Sequence, residues 1–368
     1  MRPTWADVDT DAIAANVRIL RDHVGGTICA VVKADGYGHG AVESAKAAQR
    51  GGASWLAVAL VEEGVQLRAA GIEGPILVLS EPRPAEMAAA RQADLRPTLY
   101  SVAGIEAASG VSSDAPWPVH LKVDTGMHRV GALPEDVCAL ADRIDAAPSL
   151  ALEGVWTHCA VADDPSDSFT ATQLDRFDRA IAALEASGRT GLLRHAANSA
   201  GGLAHDRARY DMVRAGIAIY GIAPSPDVPL PAGVEPALTL RSEVSHLLVV
   251  AAGEGVSYGR RWRADRPTRV ATVPIGYADG IRRDLALRGG QVLLHGVRCA
   301  IVGVVTMDQL MVDCGDLPVE VGDEVVLIGA QRGERVTAEE VGERLGTIGY
   351  EVVCAIGARV PRRYRGEP

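Results

Sequence analysis

Among 368 residues and 37 basic side chains, only three are lysine: Lys33, Lys46 and Lys122. A chain that has nearly given up lysine either keeps it where a primary amine is needed or holds three by chance. Lys33 follows the apolar run Ala30-Val31-Val32. An amine at the end of such a run is partly desolvated, which lowers its pKa and lets it attack a carbonyl to form a Schiff base. By itself Lys33 also fits a strand-end lysine that carries its head group to solvent. The loop ADGYGHG follows, in which Gly36, Gly38 and Gly40 permit close backbone approach and Tyr37 and His39 add polar groups. Further along lie Lys122 before DTGMHR, Thr157-His158, His195 before Asn198-Ser199, and Arg214 before Gly216.

The elements around these residues set their positions. Ile13, Val17, Leu20 and Val24 mark one face of a helix over 11–24. Short apolar runs without helical period read as strands at 27–33, 54–59, 75–79, 95–100, 118–124, 152–158, 191–196 and 212–220. Helical stretches lie between most of them, at 40–50, 61–70, 84–92, 102–109, 134–146 and 170–187. Eight βα units predict a (β/α)8 TIM-type barrel, with an open doubly wound sheet as the alternative. Near residue 222 the texture changes. IAPSPDVPLPAGVEP carries five prolines and reads as a linker. Strand patterns then crowd together at 237–250, 268–275, 291–294, 297–305, 309–313 and 324–329, with LLHGVR as a hairpin turn and one helix at 337–346. The expected organisation is an N-terminal strand in 1–10 that packs with the β domain, a barrel over 11–230, and a mostly-β C-terminal domain over 231–368.

Barrel enzymes work at the C-terminal ends of their strands, and Lys33, Lys122, His158, His195 and Arg214 all fall there. Phosphate groups in such barrels bind after strands 7 and 8, where Asn198-Ser199-Ala200-Gly201 and Gly216-Ile217 stand. Ser199 also suits a helix N-cap. A Schiff-base lysine and a phosphate site in one barrel mouth point to pyridoxal 5'-phosphate.

Composition narrows the class. A net charge of −10 argues against a nucleic-acid partner. The six cysteines, at 29, 138, 159, 299, 314 and 354, form no CxxC pair, so neither a metal site nor a redox motif is expected. They read as reduced thiols of a cytoplasmic protein. No apolar N-terminal leader and no spanning segment appears, so no membrane association is expected.

With these motifs in view, the chain resembles the alanine racemase family of pyridoxal phosphate enzymes. The resemblance rests on AVVKADGYGHG (30–40), LKVDTGMHRVG (121–131), THCAVAD (157–163), RHAANSAG (194–201) and VRAGIAIYG (213–221). It continues with VSYGRRW (256–262), VPIGYADG (273–280), VGVVTMDQLMVD (302–313) and RVPRRY (359–364), in order along almost the whole chain. It implies that Lys33 joins the cofactor and is the base on one substrate face, with Tyr258 of the partner subunit as the base on the other. It implies that Arg214 meets the pyridine nitrogen and Arg129 the ring oxygen. Lys122 would be carbamylated and would orient Arg129, and His158 would position Arg214 and Tyr258. Tyr37, Asn198, Ser199, Gly216 and Ile217 would hold the cofactor's phosphate end. Tyr277, Met307 and Asp308 would line the substrate side, together with Arg129. The expected activity is interconversion of L- and D-alanine by a homodimer, supplying D-alanine for peptidoglycan.

Rival readings are a serine or broad-specificity racemase of the same fold, a non-catalytic pyridoxal-phosphate-binding protein, and a decarboxylase of this fold type. The β domain with Tyr258 and Met307-Asp308 speaks against the second. The cysteine and aspartate motifs of the third do not stand in the sequence. Two departures from the family pattern are present. The lysine motif reads KADGYGHG where many relatives have KANAYGHG. Ala358 stands where some members place a phosphate-contacting tyrosine, with Tyr364 nearby.

Overall fold

The computed structural model describes residues 2–111 and 115–367. The outermost residues of the expected terminal ranges, Met1 and Pro368, lie outside the described residues. The chain forms two compact units: residues up to Asp11 together with Glu235–Glu367, and Ala12–Val234. Its first strand, β1 (Thr4–Asp9), belongs to the sheet of the former unit.

All but the first two residues of the helix Thr10–Val24 lie in the unit Ala12–Val234, and its face Ile13, Val17 and Leu20 is at most 2% exposed. Burying side chains of this size stabilises by roughly 1.5–3 kcal/mol each, which fixes the helix on the sheet. Eight short strands follow: β2 (Thr27–Val31), β3 (Trp55–Val58), β4 (Ile76–Val78), β5 (Leu95–Leu99), β6 (Trp117–Lys122), β7 (Leu150–Trp156), β8 (Leu193–His195) and β9 (Met212–Ala215). All neighbouring pairs are parallel, in the order β8-β7-β6-β5-β4-β3-β2-β9. Among the described residues the two ends share no ladder, but backbone bonds from Asp211 N to Arg194 O and from Arg214 N to Ala197 O, both 3.0 Å, bridge them. The result is the near-closed eight-stranded barrel that the alternating pattern predicts.

Departures from the expected elements have local causes. The apolar run 212–220 leaves the strand at Ala215, because Gly216 takes φ −103 and ψ −101 and a 3-10 turn, Ile217–Tyr220, follows. Helices expected at 84–92 and 134–146 each begin with a 3-10 turn led by proline, Pro84–Glu86 and Pro134–Asp136. Proline suits that first position because its missing N–H has no partner there anyway.

In the other unit, β1 pairs antiparallel with Leu238–Glu243 and parallel with Arg362–Arg365. The expected single strand 237–250 is two: Leu238–Glu243 beside β1, and His246–Val250 at the far edge of the sheet, paired with Thr268–Val273. Gln291–Leu294 and Val297–Val302 form the expected hairpin. Its turn, His295-Gly296, has φ +53 and +80, positive values of the kind that match the twist of paired strands. Besides the expected helix, found at Ala338–Leu345, a second one forms at Gly349–Cys354.

Candidate active site

Strand period decides which side chains enter the barrel. His120 and Lys122 are two residues apart on β6, hence on one face, and both are buried, as are Trp156 on β7, His195 on β8 and Arg214 on β9.

Arg214 is the centre of the arrangement. Its NH1 donates to His195 Nδ1 at 2.8 Å. Its NH2 donates to the carbonyls of Thr157 and Ala196, each at 2.9 Å, and to His158 Nδ1 at 3.2 Å. Its guanidinium carbon lies 4.5 Å from the centre of the Trp156 ring system, and Lys122 Nζ lies 4.3 Å from the same centre. These cation–π contacts offset part of the cost of burying two positive groups. Burial lowers the Arg214 pKa to about 10. The group therefore stays protonated at neutral pH and donates hydrogen bonds rather than protons.

Lys122 is held differently. Burial, then the charges of Arg129 and Arg214, lower its pKa to about 7; Asp124 opposes and Lys33 adds to the shift. Such an amine is partly neutral, and so nucleophilic, near neutral pH. His158, half-buried, is pushed well below the usual imidazole range by desolvation and by Arg214, Arg129, Lys122 and Lys33. Its Nδ1 accepts from Arg214, so the neutral ring carries its proton on Nε2. Arg129 is exposed at the mouth, in a loop shaped by Asp124 Oδ1, which accepts from the Gly126 and His128 N–H groups at 2.9 and 3.1 Å. Lys33, half-buried, acts on both Lys122 and His158. Lys33, Lys122, Arg129 and Arg214 thus form one cationic cluster.

The glycine-rich loop is a left-handed turn. Ala34, Asp35, Gly36 and Tyr37 have φ between +51 and +62, a region that costs non-glycine residues roughly 1–2 kcal/mol each. Side chains hold it. Glu63 accepts from Ala34 N at 2.6 Å and Asp35 from Ala41 N at 2.8 Å. His39 Nδ1 lies 2.9 Å from Tyr37 O and 3.1 Å from Gly36 O. The Tyr37 and His39 rings pack on Tyr220, with centroids 5.4 and 4.4 Å away. This packing fixes Tyr37 beside Gly216: a Cβ at Gly216 would stand 2.5 Å from the Tyr37 hydroxyl oxygen. Ser199 Oγ accepts from Gly216 N at 2.9 Å and Ala218 N at 3.4 Å, and Ile217 starts the 3-10 turn between them. The N-cap of the following helix is Asn198, whose side chain takes Gly201 N at 2.8 Å. Ser199 is thus free of the capping role that the sequence also allowed.

The structure therefore brings Lys33, Lys122, Arg129, His158 and Arg214 together at one place, and Tyr37, Asn198, Ser199, Gly216 and Ile217 along one seam. Glu63, His120, Trp156 and Glu153 of this unit were not among the sequence candidates, and His195 was noted only as a strand end. A strand-interior glycine, Gly154, was the available signal for His120.

Tyr258, Tyr277, Met307 and Asp308 belong to the other unit, where they are exposed. Tyr277 N donates to Thr306 O at 2.9 Å and Ala278 N to Met307 O at 3.0 Å, which sets Tyr277 beside the Met307-Asp308 loop. Gly276 permits this approach, since a Cβ there would lie 2.3 Å from Thr306 O. Ser257 Oγ, next to Tyr258, donates to Val304 O at 2.7 Å. Asp308 pairs with Arg359 at 2.7 Å, so Ala358 is exposed directly before a residue that fixes the Met307-Asp308 loop.

The donor set of the barrel unit fits pyridoxal phosphate. A buried, permanently protonated Arg214 suits a pyridine nitrogen that accepts. A cluster of cations suits an anionic ligand. At the Gly216 seam, where a Cβ would press on Tyr37, the main chain can approach a phosphate closely.

Comparison with known proteins gives the family. The family model for the alanine racemase N-terminal domain matches residues 8–224, and that for the C-terminal domain matches 237–364. The chain belongs to the alanine racemase family. It is 49% identical to the alanine racemase of Symbiobacterium thermophilum, covering 100% of this chain and 98% of the relative. Among solved structures it is similar to alanine racemase from E. faecalis, with TM-score 0.93, 41% identity, and 99% and 98% of the two chains covered. It is similar also to the Bacillus anthracis alanine racemase with bound L-Ala-P, with TM-score 0.92, 38% identity, and coverage of 100% and 96%. As a member of this family it is an isomerase acting on amino acids. No described helix is long and apolar enough to cross a membrane.

Proposed function

We propose that the chain interconverts L- and D-alanine with pyridoxal phosphate, in the cytoplasm, as a homodimer whose product serves peptidoglycan synthesis. One observation carries the cofactor reading: the buried guanidinium of Arg214 is fixed by His195, Thr157 and Ala196, in the same unit as Lys33, which stands two residues past the end of β2. When bound, pyridoxal phosphate withdraws electron density from the amino acid's Cα–H bond. Tyr37, Asn198, Ser199, Gly216 and Ile217 would hold its phosphate end, Arg214 its ring nitrogen and Arg129 its ring oxygen. Arg214 would donate a hydrogen bond to the ring nitrogen without giving up a proton, which would temper the electron withdrawal that the cofactor supplies and so restrain side reactions.

Racemisation takes the Cα proton from one face and returns one to the other, which calls for two bases. Lys33 serves one face. The partner's Tyr258 serves the other; in its own chain this residue is 71% exposed, which supports a role across a subunit boundary. A free phenol is a poor base at neutral pH, and His158, held by Arg214, would position the partner's Tyr258 for that role. Tyr277, Met307 and Asp308 line the substrate side, with Arg129. Lys122 is a carbamate in the working protein: its neutral amine attacks CO2 and releases one proton. The resulting anion orients Arg129 and relieves the repulsion among the cations.

Ala358 favours a second reading, a site that also admits serine. Chiral analysis of product from L-alanine and L-serine, with pyridoxal phosphate present, separates the two. The proposal expects fast D-alanine and little D-serine, with both absent in Lys33→Ala together with the visible absorbance of bound cofactor. Comparable D-serine establishes the second reading. No D-product with cofactor bound overturns both.

A further inference from the structure

Behind Arg214 the barrel interior holds a chain of polar groups that the proposed reaction does not use. His195 Nδ1 is 2.8 Å from Arg214 NH1. His195 Nε2 is 3.0 Å from His120 Nδ1. His120 Nε2 is 3.2 Å from Glu153 Oε2. Both imidazoles are fully buried, while the Glu153 side chain is 31% exposed and also pairs with Arg96 at 3.3 Å. The chain runs from the barrel centre to the solvent side of β7.

Chemistry fixes the direction of every bond. Arginine can only donate, so His195 Nδ1 accepts. Its proton then sits on Nε2 and is donated to His120 Nδ1. The His120 proton in turn sits on Nε2 and is donated to the carboxylate. No alternative placement of the two imidazole protons satisfies all three contacts. We propose that Glu153, through His120 and His195, is a positioning residue for Arg214: it locks both imidazoles in the Nε2–H form, and so holds the NH1 end of the guanidinium in place. The inference rests on the functional reading above, but its geometry does not.

Packing supports the assignment. Gly154 lies opposite His120 in the β6–β7 register, and a Cβ there would meet His120 Cε1 at 2.6 Å and Nδ1 at 2.7 Å. Trp156 stacks on His195, centroids 5.6 Å apart and rings 9° from parallel, and Trp55 meets His120 edge-on at 5.4 Å. The groups facing the two rings are Glu153, Arg96 and Arg214. Burial, Arg214 and the neighbouring His120 hold His195 far below the usual imidazole range. Burial also lowers His120, with Glu153 opposing and Arg96 and Arg214 assisting. Both rings therefore remain neutral and keep this one tautomer through the neutral pH range.

The test is ¹⁵N-histidine NMR of the cofactor-loaded dimer, in wild type, Glu153→Gln and Glu153→Leu. The proposal expects a protonated Nε2 and a bare Nδ1 at His195 and His120 in wild type. The same pattern is expected in Glu153→Gln, whose amide oxygen still accepts. In Glu153→Leu the tautomers should mix, with kcat for racemisation down about tenfold and KM little changed, a loss in the range for coupling through intermediate residues. An Nδ1–H form in wild type overturns the proposal whether or not the protein racemises alanine. So does a Glu153→Leu protein with wild-type tautomers and kcat. Absence of racemisation with the expected tautomers overturns the functional reading and leaves the assignment of the chain standing.

Discussion

Lys122 shows how a single residue ties sequence to chemistry. An amine buried beside Arg129 and Arg214 has its pKa lowered to about 7, against about 10.4 in the unfolded chain. Between those values the unfolded state binds more protons, so stability rises with pH there. Lys122→Met removes this cost. In CO2-free buffer, denaturant melts should show the variant's advantage at its largest at and below pH 7, shrinking as pH rises toward 10.4. An advantage that grows with pH contradicts the shift. In bicarbonate, native mass spectrometry should show one CO2 adduct per wild-type chain and none in Lys122→Met. The lysine was legible because lysine is so scarce in this sequence. His120 was not, since a histidine inside WPVHLK looks like any satisfied core residue until its partners from β7 and β8 are in place.

The strands carry the next lesson. All eight barrel strands were legible as short apolar runs, because parallel strands buried on both faces lose polar alternation. The end of β9 was not. Ile217–Tyr220 keeps an apolar texture, yet Ser199 Oγ takes the Gly216 N–H that a continuing strand would place in a ladder. The break at Val244-Ser245 was hidden for a similar reason, since neither residue is a glycine or proline. Two glycine substitutions test the fit between elements. Gly154→Ala in β7 presses on His120 and on Leu193 O at 2.8 Å, and should destabilise by about 1–3 kcal/mol, read as a lower denaturant midpoint. Gly216→Ala presses only on Tyr37. It should weaken cofactor binding, read by equilibrium titration, while leaving the melting temperature within a few degrees of wild type. A large stability loss with unchanged cofactor affinity would contradict the role given to the seam.

At the scale of the molecule, the barrel followed by a β domain was read from the change in texture near residue 222; the two family models match 8–224 and 237–364. The near-closed barrel was expected from the eight alternating units, but the two backbone bonds that join its end strands, Asp211 N to Arg194 O and Arg214 N to Ala197 O, were not readable, because no local pattern encodes them. In the proposed reaction Lys33 and Tyr258 act together from two copies of the chain. Mixing inactive Lys33→Ala and Tyr258→Phe proteins under conditions that exchange subunits tests it directly. In each mixed dimer one site would carry both substitutions and the other neither. With equal, random exchange half the dimers are mixed, so activity should recover to about a quarter of wild type. A mixture that stays inactive, with subunit exchange verified by mass spectrometry, would contradict the shared site and the two-base assignment together.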